Sequence, residues 1–150
     1  MKKMKKQNRI ILIGRSAAGK TTFCQYLYKE EFKYHKTQTI EIINNTIIDT
    51  PGEYLERRGM YGALMVASTD ADIVMLVQAA TENGTMFPPA FSSSFSKPTV
   101  GLVTKDDIAT REQVAEAIEF LKIAGAENVF VVSSIKGTGF EELNKYFELL

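Results

Sequence analysis

The chain has 150 residues with 45% apolar and 24% charged side chains, which is an ordinary globular composition at the size of one domain. No stretch approaches the roughly 18 consecutive apolar residues of a membrane span, so the sequence reads as soluble. Its 18 basic and 18 acidic side chains cancel, but Lys2, Lys3, Lys5, Lys6 and Arg9 precede every acid, which leaves residues 10–150 net acidic and argues against general nucleic-acid binding.

Residues 1–8 read as a flexible basic terminus, solvated or, as the alternative, touching lipid or RNA. The start resembles an export signal, yet its apolar run, residues 10–13, is too short for one. That run reads instead as the first strand. Directly after it comes Gly14-Arg15-Ser16-Ala17-Ala18-Gly19-Lys20-Thr21-Thr22, a Walker A pattern between a strand and a helix expected over residues 20–29. Small residues here let main-chain N–H groups turn inward around a β-phosphate, and the helix N-terminus adds its positive end. Lys20 supplies a cation to the β and γ oxygens, and the Thr21 hydroxyl supplies a magnesium ligand. The lone Cys24 cannot form an internal disulfide, fits a reducing cytoplasm, and reads as a buried helix residue.

Beyond the first helix, Thr37 or Thr39 is placed to close over magnesium and the γ-phosphate, with Thr37 preferred because Thr39 abuts the next strand. His35, the only histidine, reads as a solvated loop residue. Strands are expected over residues 40–43 and 46–48, joined by a tight turn at Asn44-Asn45 that makes the second strand antiparallel. The next element is Asp49-Thr50-Pro51-Gly52: Asp49 reaches magnesium through water, and the Gly52 N–H faces the γ-phosphate.

Glu53 stands where many related enzymes carry a water-orienting glutamine. It acts as a base, repels the phosphate or simply complements the following helix N-terminus. Arg57 and Arg58 offer charge compensation or form a solvated face. Gly59 and Gly62 weaken the helix expected there.

Residues 73–77, 99–103 and 129–132 read as further strands. Thr104-Lys105-Asp106-Asp107 follows one of them. Asp107 can accept two hydrogen bonds from guanine N1 and its exocyclic amine, and Lys105 lies along the ring. Thr104 replaces the usual asparagine, and its shorter side chain cannot make the same bonds. Thr110 and Gln113 form a capping box for a helix over 110–124, closed by Gly125. Ser133, Ser134 and Ile135 would complete the base pocket, mainly through main-chain N–H groups, before a last helix over 140–150.

The alternation of strands and helices implies an α/β fold: a three-layer α/β/α P-loop NTPase of the Ras-like GTPase type, with a mostly parallel six-stranded sheet and one antiparallel strand. One domain spans residues 9–150. The expected ligands are GTP or GDP with Mg2+.

GRSAAGKTT, the KTQ at Lys36 to Gln38, DTPGEY at Asp49 to Tyr54, FPPAF at Phe87 to Phe91 and VTKDD at Val103 to Asp107 together make the chain resemble the EutP/PduV family of ethanolamine- and propanediol-utilisation proteins. The resemblance implies a nucleotide-dependent role in breaking down ethanolamine or a diol, with the phosphate site at residues 14–22, the metal-linked acid at Asp49 and the base reader at Asp107. It also implies a bacterial microcompartment setting in the cytoplasm, with shell or cargo proteins as partners, and leaves a homodimer open. Only about eight residues precede the first strand, too few for an amphipathic targeting helix. Association through FPPAF is therefore weighed against Phe87 and Phe91 filling a satellite core.

Three functions remain open from sequence: a GTP-binding switch with slow hydrolysis, a kinase acting on a small carboxylate such as acetate, and a nucleotide-dependent adaptor without turnover.

Overall fold

The structure, a computed structural model, describes residues 9–28, 41–43 and 47–148. The expectations for the basic tip, His35, Thr37, Thr39 and the Asn44-Asn45 turn lie outside those residues. Six strands form one sheet in the order β2-β3-β1-β4-β5-β6. Strands β1 (Ile10–Ile13), β3 (Ile47–Asp49), β4 (Ile73–Ala79), β5 (Thr99–Thr104) and β6 (Val129–Val131) are parallel. The short β2 (Glu41–Ile43) pairs antiparallel with β3 at one edge.

All four residues of β1 and all seven of β4 are buried, because helices cover both faces of these central strands. The period-2 alternation of a strand divides them between two cores. Ile11, Ile13, Val74 and Leu76 pack with Leu55, Leu64, Ala117 and Leu121. Those partners come from α2 (Gly52–Glu56), α3 (Tyr61–Ser68) and α4 (Arg111–Ile123). Ile10, Leu12, Met75 and Val77 point the other way, against Phe23, Cys24, Phe140 and Leu143 of α1 (Lys20–Tyr28) and α5 (Phe140–Glu148). The result is a layer of helices on each side of the sheet.

The expected capping box is present: Thr110 Oγ1 accepts from the Gln113 amide at 3.1 Å, and Gln113 Oε1 accepts from the Thr110 amide at 2.9 Å. The weak helix after Gly52 resolves into two helices joined by a 3-10 turn, Arg58–Met60. The break falls at Arg57, whose φ −118°, ψ 115° is extended backbone. Strand β4 runs two residues beyond its apolar stretch. Buried Gln78 is accommodated there because its amide donates to Gly84 O at 3.2 Å and its carbonyl accepts from Thr85 Oγ1 at 2.6 Å.

Phe87 and Phe91 are each only 5% exposed and belong to the main core, where Phe91 packs edge-on against Phe95 and Tyr61. The FPPAF segment therefore offers solvent Pro89 and Ala90, not its rings, which removes the aromatic docking surface weighed above. Among the described residues, no helix is long and apolar enough to cross a membrane.

Candidate functional site

Strand β1 has β3 on one side and β4 on the other, so the chain crosses over in opposite directions from it. That switch point opens a crevice at the carboxyl ends of the strands. Residues 14–19 fill its floor. A Cβ at Gly14 would lie 2.6 Å from Val77 O, so the loop leaves the sheet too closely for any side chain. Ala17 (φ 66°) and Gly19 (φ 94°) then take left-handed conformations. For Ala17 this costs about 1–2 kcal/mol, a strain typical of residues held for function. Turns of this kind direct successive N–H groups into one concavity, and α1 begins at once with Lys20, adding its own N-terminal donors.

Lys20 is 8% exposed, and its Nζ donates to Gly14 O at 2.6 Å and Arg15 O at 3.4 Å. Burial lowers its pKa from the usual lysine value, and the negative charges of Asp49 and Glu56 oppose that shift. A desolvated ammonium held by carbonyls is stabilised by any anion brought beside it.

The end of β5 ties the loop in place, and the end of β3 is tied to β1 just before it. Thr104 Oγ1, at the end of β5, donates to Ala18 O at 2.6 Å, and Lys105 Nζ donates to Ala17 O at 2.9 Å. Thr50 Oγ1, just after β3, donates to Leu12 O at 2.7 Å. Thr104, read from sequence as too short for an asparagine's bonds, thus reaches the phosphate-loop backbone directly. Lys105, read as lying along a base, holds φ 61° and rests on the loop.

Asp107 and Ser133 meet across 26 residues: Ser133 Oγ donates to Asp107 Oδ1 at 2.8 Å and accepts from the Lys136 amide at 3.1 Å. The Ser133 amide was expected to face a base. It donates instead to Thr138 O at 3.1 Å in an isolated bridge, so this residue contributes through its hydroxyl. Ser134 is partly exposed and Ile135 is 80% exposed at the rim of the same turn.

On the opposite wall, Asp49 is 3% exposed at the end of β3, and Gly52 opens α2. A Cβ on Gly52 would collide with the Ser16 amide nitrogen and come within 2.7 Å of the Arg15 carbonyl carbon, so only glycine allows this approach. Glu53 is half-buried, whereas Arg57 and Arg58 are exposed. Thr21 is partly buried and Thr22 exposed at the start of α1.

Two residues that the sequence did not single out also reach the loop. Glu56 Oε1 accepts from the Ser16 amide at 3.2 Å, and Glu82 lies 3.9 Å from Arg15. For Glu56 a signal exists: it follows Gly52 by four residues, one helical turn, and so shares its face. Burial raises the Glu82 pKa, while the Arg15 charge opposes the rise.

The described residues therefore bring together residues 14–22, Asp49, Gly52, Thr104, Lys105, Asp107 and Ser133 around one crevice. A neighbouring cleft of about 190 Å³ is lined by Glu82, Glu116, Gln78, Gln113 and Phe120, with no cation among the described residues lining it.

Comparison with known proteins agrees with this architecture. The family model described as "Ethanolamine utilisation - propanediol utilisation", PduV-EutP, matches residues 7–149. The propanediol utilization protein PduV of Citrobacter freundii is 42% identical over 135 residues, 90% of this chain and 89% of that protein. The probable acetate kinase EutP of Escherichia coli (strain K12) is 28% identical over 143 residues, 95% of this chain and 90% of that protein. Among solved structures, translation elongation factor SelB from Methanococcus maripaludis, in complex with the GTP analogue GppNHp, superposes with a TM-score of 0.67 at 19% identity. That match covers 96% of this chain and 33% of the elongation factor, so the chain spans about a third of its length and shares the fold of a P-loop GTPase.

Proposed function

We propose that this chain, which belongs to the PduV-EutP family of ethanolamine and propanediol utilisation proteins, binds a guanine nucleotide with Mg2+ and hydrolyses GTP slowly. The observation that carries it is the loop over residues 14–19, with two left-handed residues, a helix opening at Lys20 and a desolvated Lys20 ammonium folded against it. The residues present fit a polyphosphate: the loop amides and Lys20 would take the β and γ oxygens.

Thr21 and Asp49 would hold magnesium. Among the described residues no group of three or more His, Cys, Asp or Glu side chains could hold a metal, so phosphate oxygens and water would complete the magnesium shell. Magnesium held there would neutralise phosphate charge. Thr37, outside the described residues, is the further magnesium ligand proposed from sequence. The Gly52 amide would read the γ-phosphate, and Glu53 is the proposed water-positioning group. A carboxylate in that place carries charge of the wrong sign beside the phosphate, hence the slow turnover.

Asp107 is the proposed guanine reader, oriented by Ser133 through the 2.8 Å hydrogen bond. Lys105, Ser134 and Ile135 would border the base. Replacing Asp107 by asparagine should move preference from guanosine to xanthosine nucleotides, read by calorimetric competition. Unchanged preference would remove the base-reading role. With nucleotide state altering α2, the natural consequence is a switch that changes contact with pathway partners, shell or cargo proteins of a microcompartment among them.

A second function, phosphoryl transfer to a small carboxylate, is favoured by the name of the E. coli relative. The adjacent cleft speaks against it, since Glu82 and Glu116 would repel a carboxylate acceptor. A coupled assay separates the two: acetate should leave nucleotide turnover unchanged, whereas acetate-dependent turnover with acetyl phosphate formation would establish the kinase.

A further inference from the structure

The face of α2 that meets the loop carries a glycine and a carboxylate one turn apart, Gly52 and Glu56, and both lie against the backbone of residues 15–16. The Glu56 carboxylate accepts the Ser16 amide hydrogen bond at 3.2 Å. Ser16 stands at the rim of the loop, partly exposed, whereas Ala18 is buried in its floor. The donor that Glu56 occupies is therefore the one on the side of the crevice that faces Gly52, where a terminal phosphate would lie.

A carboxylate oxygen and a phosphate oxygen are alternative acceptors for a single N–H. They also repel each other, so one excludes the other. Glu56 itself is exposed at the rim of the crevice, and its negative charge is still felt by Lys20 and Glu82. The geometry of α2 suits a small displacement: it has five residues and is flanked by Pro51 at ψ 136° and Arg57 at φ −118°, ψ 115°, both extended.

We propose that Glu56 is an internal competitor for the terminal phosphate: it holds α2 against the loop in the nucleotide-free protein, is displaced by a triphosphate, and so sets the preference between triphosphate and diphosphate. This rests on the nucleotide site described under Proposed function. A diphosphate, which ends at the β position, leaves the Glu56–Ser16 contact in place. A triphosphate must break it. The residue thus lowers triphosphate affinity while coupling α2 to the arrival and loss of one phosphate.

Two measurements on the full chain test this with Glu56→Ala and Glu56→Gln. In the nucleotide-free protein, hydrogen exchange at the Ser16 amide should speed at least ~5-fold in Glu56→Ala, because its acceptor is gone. In calorimetry, both variants should bind Mg-GTP about 5–10-fold more tightly than wild type, with Mg-GDP within about twofold, as expected when a charged competitor is removed. An unchanged exchange rate, or an unchanged GTP-to-GDP affinity ratio, would overturn the competitor role. Failure of the wild type to bind either nucleotide would overturn the nucleotide site itself, and the exchange rate alone would then decide whether Glu56 covers Ser16.

Discussion

The hydroxyl of Thr104, at the end of β5, donates a 2.6 Å hydrogen bond to the carbonyl of Ala18, 86 residues earlier in the phosphate loop. Both residues are 2% exposed. The bond joins the strand that leads to Asp107 with the loop over residues 14–19, so the proposed base and phosphate sites would share one buried joint. Gly19 beside it is equally constrained: a Cβ there would lie 3.2 Å from Thr104 Oγ1.

Thr104→Val keeps the shape and removes the donor, leaving the Ala18 carbonyl buried without that partner. Stability should fall by about 1–3 kcal/mol. Affinity for guanosine and inosine nucleotides should fall together, because the joint positions the loop without touching the base. Urea denaturation and calorimetry check both. A loss confined to guanosine would place Thr104 in base contact.

Cys24 is 2% exposed in α1 behind the loop, and burial pushes its thiol up from 9.0 to about 12. The folded protein keeps this proton where the unfolded chain has lost it. Its contribution to stability is therefore complete below pH 9.0 and falls as pH rises from there towards about 12. Lys20 acts in the opposite sense: its lowered pKa imposes a burial cost that is relieved as pH climbs towards 10.5. Cys24→Ala should flatten the alkaline loss of stability while lowering stability at neutral pH. The native thiol should also react with an aromatic disulfide reagent far more slowly than the urea-unfolded one. Equal rates in the two states would contradict this burial.

Much of the fold is legible because its signals are local. The continuous apolar runs of β1 and β4 announce doubly covered strands, and Thr110 with Gln113 announces the start of α4 within four residues. The same holds for the loop from Gly14 to Thr21, whose glycines, lysine and threonine are adjacent in the chain.

What escaped the sequence depends on residues far apart. Glu56 meets Ser16 across 40 positions, and Asp107 meets Ser133 across 26. The sequence placed Asp107 and Ser133 around one pocket and left Glu56 a turn after Gly52, but it did not encode the hydrogen bonds themselves. The break at Arg57 has no proline or glycine at that residue to mark it. Phe87 and Phe91 sit in a proline-containing stretch whose burial the sequence left as one of two readings; Tyr61 of α3 and Phe95, at the end of the same turn, enclose Phe91. Gln78 ended the apolar pattern of β4 without ending the strand, because Gly84 and Thr85 satisfy its amide.

The most direct measurement is calorimetric titration of the wild type and Lys20→Ala with GTP, GDP and ATP in the presence of magnesium. Lys20 is buried with no carboxylate in hydrogen-bond contact among its described bonds, only the Gly14 and Arg15 carbonyls. Far-UV circular dichroism of Lys20→Ala should show the nucleotide-free protein still folded, since the cation is held by two carbonyls and not by a buried ion-pair hydrogen bond. The wild type should bind GTP and GDP, ATP far more weakly, and Lys20→Ala should lose about 100-fold or more of the GTP affinity. A folded wild type with no affinity for any of the three nucleotides would contradict the central claim that residues 14–20 form a polyphosphate cradle.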